Sequence, residues 1–190
     1  MRYSKTHKEE TRRKLLDSSR ALVKKGGFDT TGVEALMSAI GMTPGAFYSH
    51  FPSKQALLEA VIQEELEHSI GMFRPGPQND LETFRKRLKV YLSASHVRHP
   101  EAGCVLPALG AELGRGAPQV RGMVEEGLNR MHANWKEALG DEDAAWAALS
   151  QCVGALVLAR SVKSEAARTR ILEANRAHIE RLLDAARKPA

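Results

Sequence analysis

Apolar residues recur along this chain at three- and four-residue intervals, and no stretch sustains a two-residue alternation, so the pattern predicts an all-α protein. A first helix is expected over residues 8–25, with Leu15, Ser19, Leu22 and Val23 on one face and Gly26 and Gly27 as its stop. Asp29, Thr30 and Thr31 offer capping side chains to a short second helix carrying Val33, Leu36, Met37 and Ile40, which Gly41 ends. Thr43 is expected to cap a third, with Pro44 at its first position, Phe47 and Phe51 turned inward, and Pro52 as terminator. Ser53 then caps a fourth helix, bearing Leu57, Leu58, Val61, Ile62 and Leu66, to about Gly71.

Residues 74–80, RPGPQND, are the clearest boundary signal. They divide a head, residues 1–55 with a connecting helix over 54–71, from a body, residues 72–190. Further helices are expected at about 81–97, 104–113, 118–139, 141–162 and 166–187, separated by His99-Pro100, Gly114 to Gly116 and Gly140-Asp141. The pattern shows neither internal repeats nor low-complexity tracts.

Charge sharpens this division. The net charge is +5, and residues 1–55 hold 10 Lys/Arg against 5 Asp/Glu, while the remainder balances at 18 against 18. A basic head on a neutral body suits phosphate binding, although a solvated basic helix would give the same count. Two cysteines, Cys104 and Cys152, are too few for a disulfide framework or a zinc cluster. The N-terminus has no signal-peptide pattern and no later segment reaches the apolar length of a membrane span, so a cytoplasmic protein is expected. Cys104 beside His96 or His99 is the one hint of nucleophilic catalysis. No orienting carboxylate, Gly-rich phosphate loop or HExxH motif accompanies it, so neither an enzyme nor a cofactor or metal is expected.

Two short helices joined at Gly41-Met42, after a longer basic helix, outline a helix-turn-helix whose second member enters the major groove of DNA. The recognition element would be TPGAFYSHF, residues 43–51. Gly45 and Ala46 let the backbone approach closely; Tyr48 and His50 are placed to bond phosphates or base edges. Lys54 and an arm of Arg2, Lys5, Lys8 and Arg12 add phosphate contacts. Phe47 and Phe51 read as core, and three small packing helices without a nucleic-acid partner remain the alternative.

The stretch FDTTGVEALMSAIGMTPGAFYSHFPSKQALLEAVI, residues 28–62, resembles the DNA-binding region of TetR/AcrR-family regulators. The shared features are the paired Thr30-Thr31, the helix ending at Ile40-Gly41, Thr43, the Phe47-Tyr48 pair, and Phe51 followed by Lys54. The resemblance implies that Thr31, Thr43, Gly45, Tyr48, His50 and Lys54 contact operator DNA, with Pro44 and Ala46 inside the same element. Ala46 departs from a position often polar in the family and would meet a thymine methyl instead. The resemblance further implies a homodimeric repressor on a palindromic operator, its two recognition elements about 34 Å apart, released by a small-molecule inducer. A DNA-binding or protein-interaction module without an inducer is the alternative.

In the body, residues 144–162 carry more apolar positions than one face of a surface helix needs, and the last helix adds Ile171, Leu172, Ile179, Leu182 and Leu183. These two helices could pair with their symmetry mates or form a monomer core. Leu88, Tyr91, Leu92, Cys104, Leu109, Met123, Met131 and Trp135 are the candidate lining of a ligand cavity, with ordinary packing as the competing reading. Cys104 stands near an expected helix N-terminus, where the dipole favours a thiolate. Its Gly-Cys segment resembles one found in family members that sense electrophiles or oxidants, while an inert buried thiol is the alternative. Cys152 is expected to be structural.

Overall fold

The computed structural model describes residues 5–75 and 81–186, and these residues contain helices and no strand. The chain order is α1 (Lys5–Gly26), α2 (Val33–Ser38), a 3₁₀ turn (Pro44–Ser49), α3 (Lys54–Met72), α4 (Leu81–Tyr91) and α5 (Ala94–Arg98). A second 3₁₀ turn (Pro100–Ala102), α6 (Leu106–Arg115), α7 (Pro118–Leu139), α8 (Glu142–Ser161) and α9 (Glu165–Ala185) complete it. Arg2, the Lys5 side chain and most of the expected boundary at 74–80 lie outside the described residues.

In the head, Leu15, Leu16 and Val23 of α1 close over Leu36 and Met37 of α2, Phe47 of the 3₁₀ turn, and Leu57 and Val61 of α3; all are buried. Ser53 caps α3 as expected, its Oγ accepting from Ala56 N–H at 3.0 Å. The caps of the two short elements differ from expectation. Thr30 and Thr31 turn back and donate to the carbonyls of Gly26 and Gly27, closing the end of α1, so Gly32 stands at the N-cap of α2 without a side-chain bond. Thr43 also makes no cap bond. A β-branched hydroxyl after a Gly-Gly stop finds the unpaired carbonyls behind it sooner than the amides ahead.

In the body, α7 lies between α3 and α8, and α9 packs on α8. Asp141 and Ser164 cap α8 and α9, accepting from Ala144 N–H at 2.7 Å and Ala167 N–H at 3.3 Å. The helix expected over 81–97 is divided: Ser93 Oγ accepts from His96 N–H at 3.2 Å and starts α5 anew. The start expected at Cys104 falls at Leu106, with Pro107 in the first turn. A second correction concerns α8, which is long and apolar enough to cross a membrane, contrary to the sequence reading; here its buried face packs against α6, α7 and α9.

Candidate nucleic-acid interface and the head–body joint

Pro44 lacks an N–H and the turn that it opens spans only Pro44–Ser49, so this element winds as a 3₁₀ helix with Ala46 N–H bonded to Thr43 O at 3.1 Å. Gly41, at φ +71°, supplies the left-handed corner before it. Phe47 is fully buried, stacking near Phe51 at 6.2 Å, and anchors the turn from below. Thr43, Pro44, Gly45, Tyr48 and Ser49 are consequently exposed, with Ala46 and His50 half-buried. Tyr48 is 66% exposed, held edge-on against Phe47 at 5.3 Å, so its hydroxyl projects from a fixed ring.

The N-terminal turns of α1 give this face its charge. His50 lies in the field of Lys8, Arg12 and His7, and burial first, then these positive neighbours, hold its pKa below the usual imidazole value. Its Nδ1 is buried without a hydrogen-bond partner. Arg12 sits over the Phe51 ring at 4.5 Å, which ties the basic surface to the head's core.

Two of the expected DNA contacts are engaged inside the protein. Thr31 is 9% exposed, its hydroxyl bonded to Gly27 O at 2.5 Å. Lys54 Nζ donates to Phe28 O at 2.7 Å and to Asp29 O at 3.4 Å, and lies 4.4 Å from the Phe28 ring centroid. The N–H groups of these same two residues donate to Glu112 Oε2 of α6, at 2.7 and 3.2 Å. The α1–α2 corner is thus gripped through its carbonyls from α3 and through its amides from the body.

A second junction is centred on a fully buried carboxylate. The Glu65 carboxylate, 0% exposed on α3, accepts from Arg20 Nε at 2.6 Å and from Lys24 Nζ at 2.7 Å. Lys24 also donates to Gly103 O at 3.1 Å, which links α1 and α3 to the bend before α6. At that bend Cys104 N–H donates to His96 Nε2 at 3.1 Å, and His96 Nδ1 lies 2.8 Å from Tyr91 O. An imidazole accepting at Nε2 carries its proton on Nδ1 and donates it to Tyr91 O, so the ring is locked neutral. Burial accordingly lowers the His96 pKa to about 4. Gly103 presses so closely on this ring that a Cβ there would lie 1.9 Å from Nε2. Glu65, Lys24 and Glu112 were not singled out in the sequence. A carboxylate at an inward position of α3, between Ile62 and Ser69, was the available signal.

The candidate ligand residues separate. Leu88, Leu92, Leu109, Met131 and Trp135 are at most 4% exposed and belong to the packed core. Trp135 packs at a tilt against Phe73 at 4.6 Å and edge-to-face with Phe84 at 4.9 Å, and Tyr91 joins through Phe73 at 5.4 Å. Met123 is half-buried against that core. Tyr91 also walls an open cleft, of about 410 Å³ between the end of α3, α4, α5 and the Pro100–Ala102 turn, and Leu109 lines a smaller cavity of about 220 Å³ between the α1–α2 corner, α3 and α6. Cys104 is 2% exposed, and burial pushes its thiol pKa up despite bonds to Ser69 and Tyr91, so the expected dipole-stabilised thiolate is not what this bend provides. The Cys152 thiol is buried and likewise raised.

Comparison with known proteins bears on the head most directly. Residues 15–61 match the family model for bacterial regulatory proteins of the tetR family. The chain is 26% identical over 120 residues, 63% of its length, to the HTH-type transcriptional regulator UidR of Escherichia coli K12, and that match spans 60% of the relative. It is 34% identical over 92 residues, 47% of its length and 41% of the relative's, to the HTH-type transcriptional repressor KstR of Rhodococcus jostii. A solved TetR transcriptional regulator from Chloroflexus aurantiacus shares the fold, with TM-score 0.75 and 20% identity, over 92% of this chain and 96% of that one. The head thus carries the tetR-family match over residues 15–61, the chain spans about 60% of the curated regulator that it matches, and the helix-turn-helix head under a helical body shares the fold of solved TetR-family regulators.

Proposed function

We propose that this protein is a homodimeric, ligand-responsive repressor that reads a palindromic operator through Thr43, Pro44, Gly45, Ala46 and Tyr48, with His50, Lys8 and Arg12 on the flanking phosphates. The observation that carries the reading is the exposed polar face of the Pro44–Ser49 turn, mounted on a buried Phe47 and set in the positive field of α1. Thr31 and Lys54 act indirectly, by fixing the α1–α2 corner that aims the turn. A regulator of this kind works in the cytoplasm, where the chromosome is.

Pairing is supported by α8 and α9. Val157 and Leu158 are 44% and 58% exposed on a helix whose other face is core. On the same two helices Ala147, Ala174 and Ala177 are exposed and Gly154 is half-buried, and small residues let helices pack closely. Release is assigned to a non-covalent ligand ahead of Cys104 modification, because the thiol is buried and protonated.

Selection of duplexes from a random pool by the purified protein tests the reading. The expected product is a two-fold symmetric site with half-sites about one helical turn apart, bound by two copies in sedimentation and weakened steeply by salt. Recovery of no common sequence would overturn the operator reading. Release of the selected DNA by a thiol reagent from the parent but not from Cys104→Ser would restore the covalent route.

A further inference from the structure

Resting on the ligand-responsive reading above, we infer that the cleft beside α4 is an effector site for a small organic anion with an apolar body, and that its inner wall is the bend that holds Lys24. The floor is apolar, made by Met72, Val90 and the Tyr91 ring, while Lys86 and Arg87 stand at its edge. Among the described residues no carboxylate lines it. Val90 is 71% exposed there, an apolar side chain left in water next to two cations. An anion whose charge meets Lys86 and Arg87 and whose hydrocarbon part covers Val90 resolves both features at once. A volume of about 410 Å³ suits a small molecule rather than a peptide.

His96 and Gly103 form the inner wall. His96 spends both ring nitrogens on Tyr91 O and Cys104 N–H, so it offers the ligand a ring face and no hydrogen bond. The wall has no slack, because the Gly103 backbone already abuts the imidazole. A ligand that displaces either residue displaces the other, and with it the carbonyl that Lys24 holds at 3.1 Å. Lys24 and Glu65 join α1 to α3, so the cleft's occupancy is felt where the head is attached.

Calorimetric titration of the full chain with benzoate, phenylacetate and octanoate, each beside its neutral primary amide, tests the site. At least one acid should saturate a single site per chain and bind tenfold or more tightly than its amide. Lys86→Met with Arg87→Met should erase that preference while leaving the helical signal and the unfolding midpoint intact. Absence of saturable binding by all three acids, equal binding of acid and amide, or an unchanged double variant would each overturn the site. The bound acid should also lower affinity for the selected operator at least fivefold, and Lys24→Met should bind the acid yet lose this effect. An acid that binds with the predicted preference but leaves operator affinity unchanged would keep the site and sink the ligand-responsive reading. Should Lys24→Met fail to fold, Arg20→Met, at the more exposed arm of the same junction, takes its place.

Discussion

The Pro44–Ser49 turn and the Gly103-Cys104 bend are both short, irregular and next to helix starts, but they treat their polar atoms in opposite ways. The turn rests on one buried ring and leaves the Tyr48 hydroxyl and its own backbone exposed to an outside partner. At the bend the polar groups are matched within the protein: Gly103 O to Lys24, Cys104 N–H to His96, and the imidazole proton to Tyr91 O. Unmatched groups can recognise; matched and buried ones can only support or transmit, since breaking them costs the full desolvation penalty. The difference in bonding fits the proposed division, with recognition in the head and coupling in the body.

The comparison breaks first at Glu65. Glu65→Ala leaves Lys24, whose side chain is 2% exposed, without its carboxylate, and should cost about 3–5 kcal/mol in urea unfolding. Glu65→Leu combined with Lys24→Met should recover most of that loss, because both buried charges then disappear. A cost of Glu65→Ala below about 1 kcal/mol would mean that the bend is not held by this pair.

The next effect is on pH. His96 folds in its neutral form with a pKa of about 4, below the unfolded value near 6.5. Between those values the unfolded chain binds more protons, so stability falls as pH drops through 6.5 and levels off near 4. The loss attributable to His96 approaches about 3 kcal/mol, and His96→Gln should flatten that part of the profile. An identical slope in the variant would show that His96 is not held neutral by the bend.

The smallest stability effect and a clear functional one belong to Tyr48. Tyr48→Ala should leave unfolding within about 0.5 kcal/mol of the parent, its side chain being mostly in water, and weaken operator binding about tenfold. A variant that destabilised the fold as much as it weakened binding would remove the distinction between the two segments.

Much of the architecture is legible from periodicity and capping residues. Ser53 begins α3 as the pattern implies, and α7 has the expected bounds. What fails is local competition: Ser93 interrupts a continuous apolar pattern, and Thr30, Thr31 and Thr43 do not cap forward. The exposed face of the Pro44–Ser49 turn was visible because its residues are neighbours in sequence. The junction was not, since Lys24, Glu65 and Gly103 are brought together only by tertiary packing. Leu88, Leu92 and Trp135 recur at inward spacing whether they face a ligand or each other, and here they face each other.

The grip of Lys54 and Glu112 on the Phe28-Asp29 corner has a consequence for the genome rather than for the molecule. On the proposed dimeric reading, a head fastened on both sides resists swivelling after a displaced half-site, and each base pair inserted between half-sites moves the target by about 3.4 Å while rotating it around the axis. Regulatory sites for this protein should therefore tolerate changes of letter more readily than changes of length.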